Sequence, residues 1–308
     1  MPCDILARTC PIFQYILGSV EFDRREILKG GAAALGAASV FGITFGPSLW
    51  EGYSNRNHPE ELKSDIAKLK AEIIGRNSEP GRPLELQATE DEVMRSTKSH
   101  AGKDVGIDPV RSLWILRSAL QNLKFELEKY PPDLMRAKVR KIVLMERARG
   151  VESGGDRGFA VPNNGEAYIG IPTLLRAHIA ALSGALPRLS AHHELGHVFL
   201  GVDEATLNAW SKLNPPEFSY STFIRLRKFR DRKNKEKGFA DAYGETDPAE
   251  DMATVFERMM LEPAKFPHLT DPGDTVLANK VKFIKDHLAK ISPEMDEAYW
   301  ERLAKARG

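Results

Sequence analysis

The sequence predicts an α+β domain with a small sheet, and further helical segments ahead of it. Three observations carry that expectation. "AKVRKIVLMERARGV" at 137–151 reads as a strand through the apolar Ile142, Val143 and Leu144. "GFAVPNNGEAYIGIP" at 158–172 reads as two short strands about Asn163-Asn164-Gly165, a hairpin turn signal. After these, apolar residues recur at helical spacing, beginning with "LSAHHELGHVFLGVDE" at 189–204. Strands first and helices afterwards is the order of an α+β domain.

With 308 residues the chain is long enough for one or two domains. Residues 51–60 are polar and read as a linker, and Leu62, Ile66, Leu69 and Ile73 then give an amphipathic helix. The stretch 77–106 is rich in Gly, Pro, Ser and charge, and is expected to be a loose connection with one short helix over 89–98. Residues 51–106 together form a helical linker region. A longer helix is expected from Asp108, as N-cap, to Pro131-Pro132, which stop it. Beyond the opening helix, Pro215-Pro216 and the basic run "RLRKFRDRKNKEK" interrupt the pattern over 211–237. That run has eight Lys or Arg against two acids, and reads as a solvated insertion. Helical spacing returns over 248–261 and 274–290.

The charge balance, +1 overall, argues against nucleic acid or an anionic membrane as the main partner. The two cysteines, Cys3 and Cys10, both precede the folded region, which leaves no disulfide framework and no cysteine nucleophile for it. Adjacent Arg24 and Arg25 precede Ile27-Leu28-Lys29 and an uncharged stretch over 30–50. Five glycines in 30–46 disfavour a stable soluble helix there. Residues 1–50 resemble a twin-arginine export signal, with Asp23 and Ile27 departing from the usual residues. The resemblance implies recognition by the twin-arginine export machinery and a periplasmic or extracellular destination. No clear cleavage site follows, and 30–50 is about long enough to remain as a membrane anchor.

The chemistry concentrates in H-E-L-G-H. His193 and His197 lie four apart, so on a helix their imidazoles share a face and can converge on one cation, with Glu194 near the same cleft. His192 falls off that face and reads as a solvent or outer-shell histidine. A catalytic site needs a third protein ligand and an open position. Asp203, six residues past His197, is one candidate, although the glycine that would turn the chain toward it, Gly201, stands one place late. The stronger candidate is Glu250. Asp247 as N-cap and Pro248 at the first helical position put it in the opening turn of a second helix. Thr254 and Glu257 share that helix's inward face, and Asp251 is placed to orient a histidine from behind.

"HHELGH … GFADAYGETDPAEDMATVF" resembles the gluzincin metallopeptidases of the anthrax lethal factor type and bacterial zinc-binding metallopeptidase families. In these a Gly-aromatic segment leads to a Tyr, and seven residues later a Glu opens an E-x-x-A helix. Tyr243, Glu250 and Ala253 keep that pattern; Thr254 departs from it, standing where many relatives have a second Glu. The resemblance covers roughly 108–262 and implies a zincin-like catalytic domain over 107–308, with a small mixed sheet packed on the H-E-L-G-H helix. It further implies His193, His197 and Glu250 as Zn2+ ligands, Glu194 as general base and Tyr243 as transition-state stabiliser. The expected activity is hydrolysis of peptide bonds in a peptide or protein substrate, and "EAYIGI" reads equally as an edge strand for backbone pairing or as a core strand. A non-catalytic zinc-binding exported protein and a zinc hydrolase of non-peptide amides stand as alternatives.

Overall fold

A computed structural model describes residues 59–96, 105–149, 158–171, 186–221, 238–264, 266 and 273–306, all within one compact unit, Asn55–Gly308. The expected export segment 1–50 and the basic run at 225–237 lie outside the described residues. Among the described residues, no helix is long and apolar enough to cross a membrane.

The architecture is mixed α+β. In chain order come α1 (Pro59–Asn77), β1 (Glu85–Gln87), α2 (Glu90–Ser96), β2 (Gly106–Pro109), α3 (Leu113–Leu127), α4 (Pro132–Lys138), β3 (Lys141–Arg149), β4 (Gly158–Val161) and β5 (Glu166–Gly170). Helices α5 (Leu186–Leu200), α6 (Glu204–Ser211), α7 (Pro248–Leu261), α8 (Thr275–Ile291) and α9 (Glu297–Lys305) complete it. The sheet runs β1-β3-β5-β4, with β2 paired to β3 off that path. Strands β1 and β5 run parallel to β3, while β2 and β4 run antiparallel to their neighbours, so the sheet is mixed.

The apolar run of β3 follows from cover on both faces of the sheet. Ile142 and Leu144, with Ala167 and Ile169 of β5, enter the main core among the helices. Val143, Met145 and Tyr168 enter a smaller cluster with Val93 of α2 and Ile107 of β2. Successive residues of a strand face opposite sides, so a strand covered twice loses its polar alternation.

The β4–β5 turn forms as the Asn-Asn-Gly signal requires. Gly165 has φ 69°, and a Cβ there would meet the Lys138 carbonyl oxygen at 2.4 Å, so only glycine fits. The same pairing decides between the two readings of "EAYIGI". β5 lies between β3 and β4, so "EAYIGI" is an interior strand and its backbone groups are committed; β4 is the outer member of the path.

Two further differences concern helix starts. Asp108 belongs to β2, where Pro109 sits at a register shift against β3, and α3 begins instead after Ser112, whose hydroxyl accepts from Ile115 N–H at 3.4 Å. Pro131-Pro132 do end that helix, but Pro132 also opens α4, the position where its missing N–H costs nothing. Arg76 of α1 donates to the carbonyls of Leu127, Glu128 and Tyr130 at 2.9–3.1 Å, which satisfies the exposed end of α3. Residues 59–96 thus give the unit a core helix, a strand and a short covering helix. Helix α5 lies against β4 and β5 on one side and α7 on another.

Candidate metal centre

The two motif-bearing helices meet at small residues. A Cβ added to Gly196 would stand 3.0 Å from Phe256 Cδ1 and 3.3 Å from Ala253 Cα. Gly196 of α5 and Ala253 of α7 therefore let the backbones approach closely, and the inward residues on either side face one another. Asp247 starts α7 as read, its carboxylate accepting from Ala249 N–H at 2.8 Å, with Pro248 in the first turn.

His193 Nε2 lies 3.0 Å from Glu250 Oε2, and His197 Nε2 lies 3.5 Å from the same oxygen. One ligand atom from each of His193, His197 and Glu250 falls within 4.8 Å of the others, and the three can hold a metal ion. Zinc binds N and O donors at about 2.0–2.2 Å, so its tetrahedral ligand atoms stand about 3.3 Å apart. The observed separations bracket that value. Two imidazoles and one carboxylate also leave the fourth position open, as a hydrolytic site requires. The donor set fits zinc.

Glu257 supplies what Asp251 was expected to supply. His193 Nδ1 lies 3.1 Å from Glu257 Oε2, so the ring presents Nε2 to the site and Nδ1 to a second carboxylate. Asp251 turns away from the histidines; its Oδ2 accepts from Trp210, Tyr220 and Lys280. The reason is helical phase. Residues 250 and 257 are two turns apart on one side of α7, whereas 251 is rotated about 100° from 250. Thr254, one turn after Glu250, bonds back to the Glu250 carbonyl at 2.6 Å. The spacing of Glu250 and Glu257 was visible in the sequence; the pairing with His193 was not. Carboxylates behind a ligating histidine typically tune metal affinity about 10–100-fold. Glu257→Ala is expected to weaken zinc binding on that scale in a chelator competition, and an unchanged affinity would remove Glu257 from the site.

The charges follow from these contacts. Burial opposes a charge on His193, but its hydrogen bonds to Glu250 and Glu257 raise its pKa well above the ordinary value. Glu250 is desolvated too, yet the two histidines hold it well below the carboxylate range. Glu194 is 4% exposed, and burial pushes its pKa up to about 8, with His193 lowering it and Glu250 and Glu257 raising it further. A carboxylate with a raised pKa beside a cluster of ligand-type residues is suited to exchanging a proton near neutral pH.

Tyr243 lies beside the cluster, its ring centroid 5.9 Å from that of His193. Its backbone is held by neighbours that the sequence reading did not single out. Asp241 Oδ1 accepts from the N–H groups of Tyr243 at 2.8 Å and Gly244 at 3.4 Å, and Thr246 Oγ1 donates to the Tyr243 carbonyl at 2.7 Å. The signal was the D-x-x-G spacing of an Asx turn.

Asp203 and His192 do not join the cluster. Gly201, with φ 76°, ends α5, and Asp203 caps α6, accepting from Thr206 N–H at 2.9 Å and its hydroxyl at 2.7 Å. His192 is fully buried rather than solvated. Its Nε2 lies 2.7 Å from Glu126 Oε2 of α3, and its Nδ1 is paired with the Tyr130 hydroxyl.

No protein-family model matches the chain, and no curated protein matches it. Among solved structures it is similar to a protein from Bacteroides caccae ATCC 43185, named "putative zinc-binding metallo-peptidase", at 15% sequence identity and a TM-score of 0.48. The likeness covers 80% of this chain and 93% of that one.

Proposed function

We propose that the protein is an exported zinc-dependent metallopeptidase of the gluzincin type, with His193, His197 and Glu250 as ligands. The observation that carries this reading is the convergence of His193, His197 and Glu250 from two helices, with the buried carboxylate of Glu194 beside them. When bound, zinc supplies a Lewis acid that polarises the scissile carbonyl and makes water more acidic. Glu194 accepts the proton of the attacking water and passes it to the departing amine. The Tyr243 phenol donates a hydrogen bond to the oxygen on which negative charge develops. Glu257 holds His193 with Nε2 toward the site and Nδ1 protonated. An extended substrate would pair with the outer strand β4. Metal analysis together with proteomic mapping of cleavage products tests the reading. Stoichiometric zinc and cleaved peptides are expected; metal without cleavage would make this a binding protein.

Proton balance gives a separate check. The raised pKa of His193 contributes stability that is full below about pH 6.5 and is lost as pH rises through its folded value. Glu250, depressed, contributes stability present above about pH 4.3 and lost as pH falls through its folded value. The metal-free site is thus held by a proton on His193 at neutral pH. Zinc must displace that proton, so its affinity is expected to rise about tenfold per pH unit for each proton displaced. Calorimetry in buffers of differing ionisation enthalpy should show at least one proton released per zinc near pH 7. Zinc binding without proton release would show that His193 is already neutral in the metal-free protein.

The export part rests on Arg24 and Arg25 ahead of the uncharged stretch 30–50. Replacing both arginines with lysine should leave the protein in the cytoplasm, measured by cell fractionation. Normal export of that variant would remove the twin-arginine reading. Because the route carries folded cargo, zinc would be loaded before export.

A further inference from the structure

Behind the candidate ligands lies a second polar cluster that the proposed chemistry does not use. Asp251 and Lys280 are both 0% exposed. A single oxygen, Asp251 Oδ2, accepts from Lys280 Nζ of α8 at 2.7 Å, Trp210 Nε1 of α6 at 2.8 Å and the Tyr220 hydroxyl at 2.8 Å. Lys280 Nζ also donates to the Gly238 carbonyl at 2.7 Å and sits 3.8 Å from the Phe239 ring centroid. The first turn of α8 holds the other side of Gly238, whose N–H donates to Asp274 Oδ2 at 2.8 Å. Val276 packs so closely that a Cβ on Gly238 would meet it at 2.6 Å.

The ammonium of Lys280 therefore grips two points of the chain at once. One is Gly238, where the strip carrying Tyr243 begins. The other is Asp251, next to Glu250 in the first turn of α7. The strip between them also rests directly on α7, because a Cβ on Gly244 would lie 3.2 Å from Asp251 Oδ1 and 3.3 Å from Asp251 Cα. Burying an ion pair stabilises a fold only weakly, because desolvation offsets most of the attraction. A pair that joins three segments fixes their relative geometry. A metal site depends on that geometry.

We propose that Lys280, with Asp251, is a positioning residue that sets the place of Glu250 and of the Tyr243 strip, so that α8 controls metal affinity from behind the site. This rests on the reading of His193, His197 and Glu250 as metal ligands. Lys280 touches none of them in the contacts described above; its effect passes through Asp251 and Gly238.

The test is the zinc dissociation constant, measured by chelator competition at a temperature where circular dichroism shows each variant fully folded. Three variants are compared: Lys280→Met, the double variant Lys280→Met/Asp251→Asn, and Tyr220→Phe. Lys280→Met is expected to weaken zinc binding about 10–100-fold, the scale of an outer-shell partner. The double variant leaves no buried charge unpaired, yet it should stay at least tenfold weak because the Gly238 carbonyl has lost its donor. Should Lys280→Met fail to fold, the double variant gives the result. Tyr220→Phe removes one donor from a half-buried side chain and should weaken binding about threefold. A merely structural pair would lower the melting midpoint and leave the zinc constant of the folded variants unchanged, and that result would overturn the proposal. Failure of the underlying reading looks different, since the wild-type protein would then bind no zinc.

Discussion

Glu194→Gln is expected to keep its zinc and lose hydrolysis by about a hundredfold or more, the scale of losing a general base. The substitution preserves size and hydrogen bonding but removes the group that accepts the proton. Zinc should stay because His193, His197 and Glu250 can hold a metal ion without Glu194. Stability supplies an independent readout. The folded pKa of Glu194 is raised by burial to about 8, against an unfolded value of about 4.3. The stability this group contributes to metal-free protein is therefore full below about pH 4.3 and lost as pH rises to 8. The Gln variant has no such slope, so its metal-free form should unfold at a higher temperature than wild type at pH 8. Loss of zinc from the variant would make Glu194 a structural or ligating carboxylate. Retention of both zinc and activity would move the chemistry elsewhere and end the peptidase reading.

The second large effect separates the two candidates for third ligand. Glu250→Ala should abolish tight zinc binding, exceeding the roughly tenfold to hundredfold cost of losing an outer partner. Asp203→Ala should retain zinc and lose only the cap of α6, about 1 kcal/mol of stability. Metal content after dialysis and a thermal melt of each variant distinguish the cases. Zinc lost from Asp203→Ala and kept by Glu250→Ala would reverse the assignment, and with it the gluzincin resemblance.

The sequence made these candidates legible because their signals are local. His193 and His197 share a face through the pitch of one helix, and Asp247-Pro248 announces the start of another, so Glu250 could be placed in its first turn. Gly165 likewise marked the hairpin, and the run from Ile142 to Leu144 marked a strand. What escaped depends on distant contacts. Strand β1 has three residues, Glu85–Gln87, and exists because β3 offers it an edge to pair with. No period can be read from so short a segment. Asp108 looked like a helix cap because Asp favours caps and is rare in strands, and only pairing with β3 and the ion pair with Arg149 place it in a strand. Asp251 was misassigned because its partners, Trp210, Tyr220 and Lys280, come from three separate places in the chain. His192 met Glu126 and Tyr130 for the same reason.

The contact of Gly196 with Ala253 and Phe256 makes the separation of two backbones the ruler of the candidate centre. Donor spacing is then set by how near α5 and α7 can come, more than by how far any side chain can stretch. A methyl group added at position 196 would meet Phe256 at 3.0 Å. Phe256 or the α7 backbone at Ala253 would have to give by a few tenths of an ångström, and any such shift of α7 is passed to Glu250 on the same helix. Tolerance at this crossing is consequently shared. Bulk gained at position 196 is best matched by bulk given up at 253 or 256, so these positions form one unit of volume in any redesign of the site.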